Sequence, residues 1–290
     1  MSSGHDLIFA AGAPGSRWTR VLSLLSLHPA INNSDAVNVK KQNFTRAVHH
    51  FGAYFGPHNE IGENFEDLTK LTKEEFLAEI KKPFSNWDTG VKIIKSHWFC
   101  HNNNLDWLVT NFPEASIMLF YNGDDASYKW WMYNGGFAIT FPSYQWYQND
   151  KTMYSVIREN NKTIIDFARR HLIKFKFHEN YDSLIKDLAF TDEIEYFDKL
   201  TQADYDLIYD IVKQADEFHS KASVSAIGIY NKNISTKFNS AEEFDHSLIK
   251  CAYQFQRQYE WSAVEQKIVD EFGIEKLEHY NRIIQEKHEN

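Results

Sequence analysis

Short apolar runs alternating with helix-period segments predict an α/β chain: a central parallel β-sheet flanked by helices. LIFAAG (7–12) and SIMLFYN (116–122) are almost continuously apolar, as strands covered on both faces must be, and VKIIKSH (91–97) has a β-branched centre. Each run ends in a polar turn. In sheets of this kind ligands bind beyond the carboxyl ends of the strands, so function is expected at the turns 12–20, 95–98 and 121–129.

After LIFAAG, the apolar residues Val21, Leu22, Leu24, Leu25 and Leu27 fall at helical spacing from Trp18 onward, and Pro29 ends the helix. VNVKK (37–41) is a weak strand candidate. Thr72-Lys-Glu-Glu is a capping signal and predicts a helix over 72–82. LDWLVTNF (105–112) reads as an amphipathic helix. DDASYKWWMY (124–133) opens another, an aromatic loop covers 134–150, and a helix spans 151–171. LIKFKF (172–177) is expected to be the last strand, with helices alone from about 181 onward. No repeat or linker-like tract divides the chain, so one domain over 1–290 is expected.

Composition sets outer limits. The 290 residues are 43% apolar and 16% aromatic, which suits a packed core. A net charge of −9 argues against a general nucleic-acid or acidic-membrane binder, which needs a basic field. The two cysteines, Cys100 and Cys251, lack metal-ligand spacing; free thiols in a reducing compartment are expected, with one disulfide left open. The N-terminal stretch has no basic n-region, and its apolar run is too short for a signal peptide or a membrane span. A cytoplasmic location is expected.

GAPGSRWTRVL (12–22) joins strand to helix and has the makings of an anion site. Backbone N–H groups at a helix start favour negative charge. Gly12 and Gly15 permit close approach. Ser16 and Thr19 offer hydroxyls, and Arg17 and Arg20 offer fixed charge. No lysine succeeds a glycine as it does in the phosphate loop of magnesium-ATP enzymes, so a nucleotide kinase is disfavoured.

This segment resembles the 5′-phosphosulfate loop of sulfotransferases that use 3′-phosphoadenosine 5′-phosphosulfate (PAPS). Pro14, Ser16 and Thr19 match one form of that loop, and Leu-Ser-Leu-His-Pro (25–29) is similar to the run just after the loop in glycan-type members. VKIIKSHWF (91–99) resembles the family strand that ends in Lys-Thr-His. LDWLVTNFPEASIMLFYNGDDASYKWW and LIKFKFHENYDSLIKDL also keep the family order, so the resemblance covers about residues 6–190. It implies a P-loop-like sulfotransferase fold and a metal-free reaction in which PAPS sulfates a hydroxyl or amine of a small-molecule or glycan acceptor, leaving PAP, the 3′,5′-bisphosphate. His97 would be the general base, with Lys95 and Arg17 stabilising charge. Gly12, Pro14, Gly15, Ser16, Arg17, Trp18, Thr19, Arg20, Asn122 and Lys129 would hold the donor.

The departures from the family pattern are concrete. Gly15 stands where the loop usually has lysine or arginine. Tyr121-Asn122-Gly123 and Lys129 replace the Arg-Asp-Pro turn and its later serine. NISTKFNS (233–240) and QFQRQYEW (254–261) are poor substitutes for the C-terminal Arg-Lys-Gly segment. A sulfotransferase-like binding protein that has lost its donor site therefore stays open. Plain readings stand beside the functional ones: His97 as a hydrogen-bonded structural histidine, Arg17 and Arg20 as surface charges, Trp130 and Trp131 as core. Asp124-Asp125 reads as a solvated pair, and His49-His50 and His101 lack ligand spacing.

Overall fold

A computed structural model describes residues 6–26, 28–34, 66–101, 103–133, 149–178, 183, 201–203, 206, 225–232, 237–257 and 260–289. Its centre is a five-stranded sheet. The strands are β1 (Leu7–Gly12), β2 (Lys92–Lys95), β3 (Ser116–Tyr121), β4 (Phe175–His178) and β5 (Ser225–Tyr230). Their spatial order is β2-β1-β3-β5-β4. β1 runs parallel to both neighbours, with Ala10 opposite Lys95 and Gly12 opposite Phe120. The carboxyl ends of three strands thus emerge side by side.

The sheet is mixed, which corrects the all-parallel expectation. β5 lies antiparallel between β3 and β4, so β4 runs in the same sense as the first three strands. LIKFKF does enter the sheet, but it is not the last strand, and the part after 181 is not helical throughout. SAIGIY carries a glycine mid-strand, which weakens local strand propensity. That glycine has a packing reason: a Cβ on Gly228 would lie 2.9 Å from the Phe175 ring and 3.0 Å from Ile173. Pairing on both sides, rather than local sequence, makes β5 a strand.

Among the described residues the longer helices are α1 (Trp18–Leu25), α2 (Lys73–Lys81), α3 (Asn104–Asn111), α4 (Asp124–Tyr133), α5 (Asp150–Arg170), α6 (Ala241–Arg257), α7 (Glu260–Phe272) and α8 (Ile274–His288). α2 starts where expected: the Thr72 hydroxyl accepts from Glu75 N–H and the Glu75 carboxylate accepts from Thr72 N–H, a complete capping box. VNVKK and most of the aromatic loop lie outside the described residues.

β1 shows why its run is apolar throughout. Leu7, Phe9 and Ala11 join Phe76 and Ile80 of α2, Leu105 and Leu108 of α3, and Ile164 and Phe167 of α5 in one core. Ile8 and Ala10, equally buried, project to the other face, as strand alternation requires. Phe9 sits edge-on to Phe99 and Phe112 and tilted against Phe76. Burying each such ring contributes about 1.5–3 kcal/mol. A second core joins Ala13 to Tyr128, Trp130 and Met132 of α4, Met153, Tyr154 and Ile157 of α5, Ile268 of α7 and Leu277, Tyr280 and Ile283 of α8. The C-terminal helices thereby close on α4 and α5 beside the first loop. Among the described residues no helix is long and apolar enough to cross a membrane.

Candidate functional site

The loop after β1 begins with a tight turn. Ser16 N–H donates to Ala13 C=O at 3.0 Å, with Pro14 and Gly15 between them and Gly15 at φ 77°. This is a type II turn, for which Pro-Gly is the preferred central pair. Ser16 N–H is therefore committed within the loop. Gly12 is required by crowding: a Cβ there would meet Ser16 Oγ at 2.6 Å and Phe120 Cβ at 3.1 Å. Gly15 is required doubly, because its Cβ would fall 1.9 Å from the carbonyl oxygen of Ser127. No lysine fits that position in this loop.

Arg17 comes next with φ 65°, left-handed for a residue that carries a side chain. Such a conformation costs about 1–2 kcal/mol. Its guanidinium carbon lies 3.8 Å from the centroid of the Trp130 ring, a cation–π contact between the loop and α4. Arg17 is 7% exposed and so is not a solvated surface charge. Trp130 belongs to the second core. The side chains of Thr19 and Arg20 lie outside the described residues, although their backbone is in α1.

β2 delivers Lys95, buried at its last position, and then a 3₁₀ turn over His97–Cys100. Ser96 caps the turn, its hydroxyl accepting from Trp98 N–H, while Ser96 N–H donates to Ala10 C=O. Asn104, fully buried, clamps the same turn. Its Nδ2 donates to Trp98 C=O at 2.7 Å and Glu66 C=O at 3.0 Å, and its Oδ1 accepts from Leu68 N–H at 2.8 Å.

His97 is held from two sides. Its Nδ1 lies 2.5 Å from the carbonyl oxygen of Gly12. A carbonyl only accepts, so Nδ1 carries the proton and the acceptor lone pair of the neutral ring is on Nε2. The indole of Trp18 stacks on the imidazole with centroids 4.3 Å apart and planes 27° apart. Burial pushes the His97 pKa down to about 3, against the Gly12 hydrogen bond that raises it, and the nearby Lys95 and His101 add to the lowering. His97 is thus neutral at physiological pH. His101 is likewise lowered to about 4 by burial. Cys100 is a buried free thiol whose pKa burial raises.

The third turn lies after β3. Asn122 is buried, and neither its Nδ2 nor the buried Ser127 Oγ finds a hydrogen-bond partner among the described residues. Lys129 is drawn to α7, where its ammonium pairs with Glu265 at 2.5 Å. The Asp124-Asp125 pair is engaged rather than simply solvated. Asp124 accepts from Asn161 Nδ2 at 2.7 Å, and Asp125 accepts from the Tyr154 hydroxyl and lies 3.0 Å from His288 Nε2. Among the described residues no group of three or more His, Cys, Asp or Glu could hold a metal ion. His49 and His50 lie outside the described residues. Of the proposed C-terminal substitutes, Lys237 lies over the Tyr230 ring at 5.8 Å, and the side chains of 254–257 are not among those described.

The structure therefore brings Gly12, Pro14, Gly15, Ser16, Arg17, Trp18, Lys95 and His97 to the carboxyl ends of adjacent parallel strands, with Asn122 at the end of the third. Sequence reasoning missed the Gly12 carbonyl as the His97 partner, the stacking role of Trp18, the seat of Gly15 on Ser127, and Asn104. A lone asparagine or carbonyl carries no motif that would have flagged it. The fold and loop cluster define an α/β protein with a mixed five-stranded sheet and a polar cluster at its strand ends. Compared with protein families, curated proteins and solved structures, the chain matches none.

Proposed function

We propose that the chain is a PAPS-dependent sulfotransferase with a P-loop-like fold, which sulfates a hydroxyl or amine of a small-molecule or glycan acceptor. The observation that carries this reading is His97. It is neutral and tautomer-fixed, with the buried Lys95 near enough to lower its basicity and the buried Arg17 in the adjoining loop, where parallel strands end. The acceptor oxygen or nitrogen attacks sulfur while the bond from sulfur to the bridging oxygen of the phosphosulfate breaks. The acceptor proton passes to His97 Nε2, and PAP leaves. Such a transfer needs alignment and charge stabilisation more than covalent help, and it requires no metal.

Lys95 and Arg17 offset the charge building on the bridging and sulfuryl oxygens. The loop from Gly12 to Arg20 forms the phosphosulfate wall, and Asn122 Nδ2 offers a buried donor whose burial calls for a polar partner. Negative charge on the bound donor raises the basicity of His97 above its resting level. The free Cys100 thiol suits a reducing compartment such as the cytoplasm.

A binding protein without donor chemistry is the second reading. It is favoured by Ser16 N–H being spent on Ala13 and by Lys129 being engaged by Glu265. Calorimetric titration with PAP, with magnesium-ATP as the control, separates the two. Tight binding of PAP alone supports the enzyme; binding of neither supports the second reading. His97→Ala should abolish turnover and keep PAP affinity, and normal turnover removes His97 from the mechanism.

A further inference from the structure

Trp18 is the first residue of α1 and is 5% exposed. Its indole is itself pinned, edge-on to Phe120 with centroids 6.5 Å apart. On this fixed surface the His97 ring lies nearly flat. The Gly12 carbonyl accepts a hydrogen bond from Nδ1–H at the ring edge. A flat stack limits tilting of the ring, and the in-plane hydrogen bond opposes a 180° flip, which would put a C–H against the carbonyl.

We propose that Trp18 is a positioning residue for His97: stacked indole and Gly12 carbonyl together hold the imidazole in the Nδ1–H tautomer, with Nε2 kept as the proton acceptor. This rests on the sulfotransferase reading only for what the base is used for. The tautomer assignment stands on the contacts themselves.

The arrangement also has a consequence for the proton-transfer step. Protonation at Nε2 turns the ring into an imidazolium. An indole face attracts a cation more than a neutral ring, and a carbonyl accepts more strongly from a charged donor. Both contacts therefore strengthen as the proton arrives, which is the property that lowers a barrier instead of merely tightening binding. Burial alone does the opposite, since it holds His97 neutral at rest.

The test is side-chain nitrogen NMR of the protein, with the His97 signals assigned by their loss in His97→Gln. The neutral ring is expected to show the Nδ1–H signature. In Trp18→Leu that signature should move toward a tautomer mixture. With PAPS and a working acceptor, kcat should fall by about tenfold to a hundredfold, a larger change than the rise in KM for PAPS. Trp18→Phe keeps an aromatic face and should restore most of both signals, so the test does not depend on the leucine variant folding. A wild-type Nε2–H signature overturns the proposal. So does a Trp18→Leu protein with an unchanged tautomer and unchanged kcat. If no acceptor is turned over yet the tautomer responds as expected, the positioning role stands and the sulfotransferase reading fails.

Discussion

Replacing Gly15 with alanine probes the seat of the loop on α4. Two effects combine. The residue is at φ 77°, left-handed backbone that costs a residue with a Cβ about 1 kcal/mol or somewhat more. The new methyl would also stand 1.9 Å from Ser127 O and 2.7 Å from Ser127 C, both backbone atoms that cannot rotate away. The gap must open to at least 3.0 Å, which forces the loop and α4 apart and disturbs the Arg17 stack on Trp130. Overpacking of that kind costs about 1–3 kcal/mol, so the whole effect is about 2–5 kcal/mol.

Urea unfolding reads the loss directly, provided the denaturant slope is unchanged. A loss of about 1 kcal/mol or less, the left-handed backbone cost alone, would refute the seat on Ser127. On the same grounds, Gly15→Lys, which supplies the charge of the family loop, should destabilise the protein rather than improve PAP affinity.

Other perturbations test the same contacts. Arg17→Gly loses the cation–π contact and a buried side chain, and PAP affinity should fall about tenfold or more; an unchanged affinity would remove Arg17 from the donor site. His97 should also leave a mark on acid stability. Its folded pKa of about 3 lies below the unfolded value near 6.5, so between those values the unfolded state binds the extra proton. Stability is complete above about pH 6.5 and is lost as pH falls toward 3, at up to about 1.4 kcal/mol per pH unit. His97→Gln should remove that share of the slope between pH 6 and 4, and an identical slope in both proteins would show that His97 is not held neutral.

Much of the architecture is legible locally. β1, α1, α2, α3, β3, α4 and α5 lie where apolar period, the Thr72 capping signal and Pro-Gly punctuation put them, because each depends on neighbours within a few residues. The turn at Ala13–Ser16 is equally local: proline sets one dihedral and glycine permits the next. β5 is not, since its glycine argues against a strand until Phe175 and Ile173 are seen filling the space above it.

The sequence by itself determined the residue types at the site and the ends of the strands that present them. Only the tertiary structure decided what those residues do to one another. The Gly12 carbonyl and His97 are 85 positions apart, and their contact fixes a tautomer that no spacing encodes. Arg17 meets Trp130, Gly15 meets Ser127, and Lys129 meets Glu265 across similar or greater separations. Such contacts depend on how the sheet and its helices pack, and that packing is set by the burial of many side chains at once rather than by any short stretch of chain.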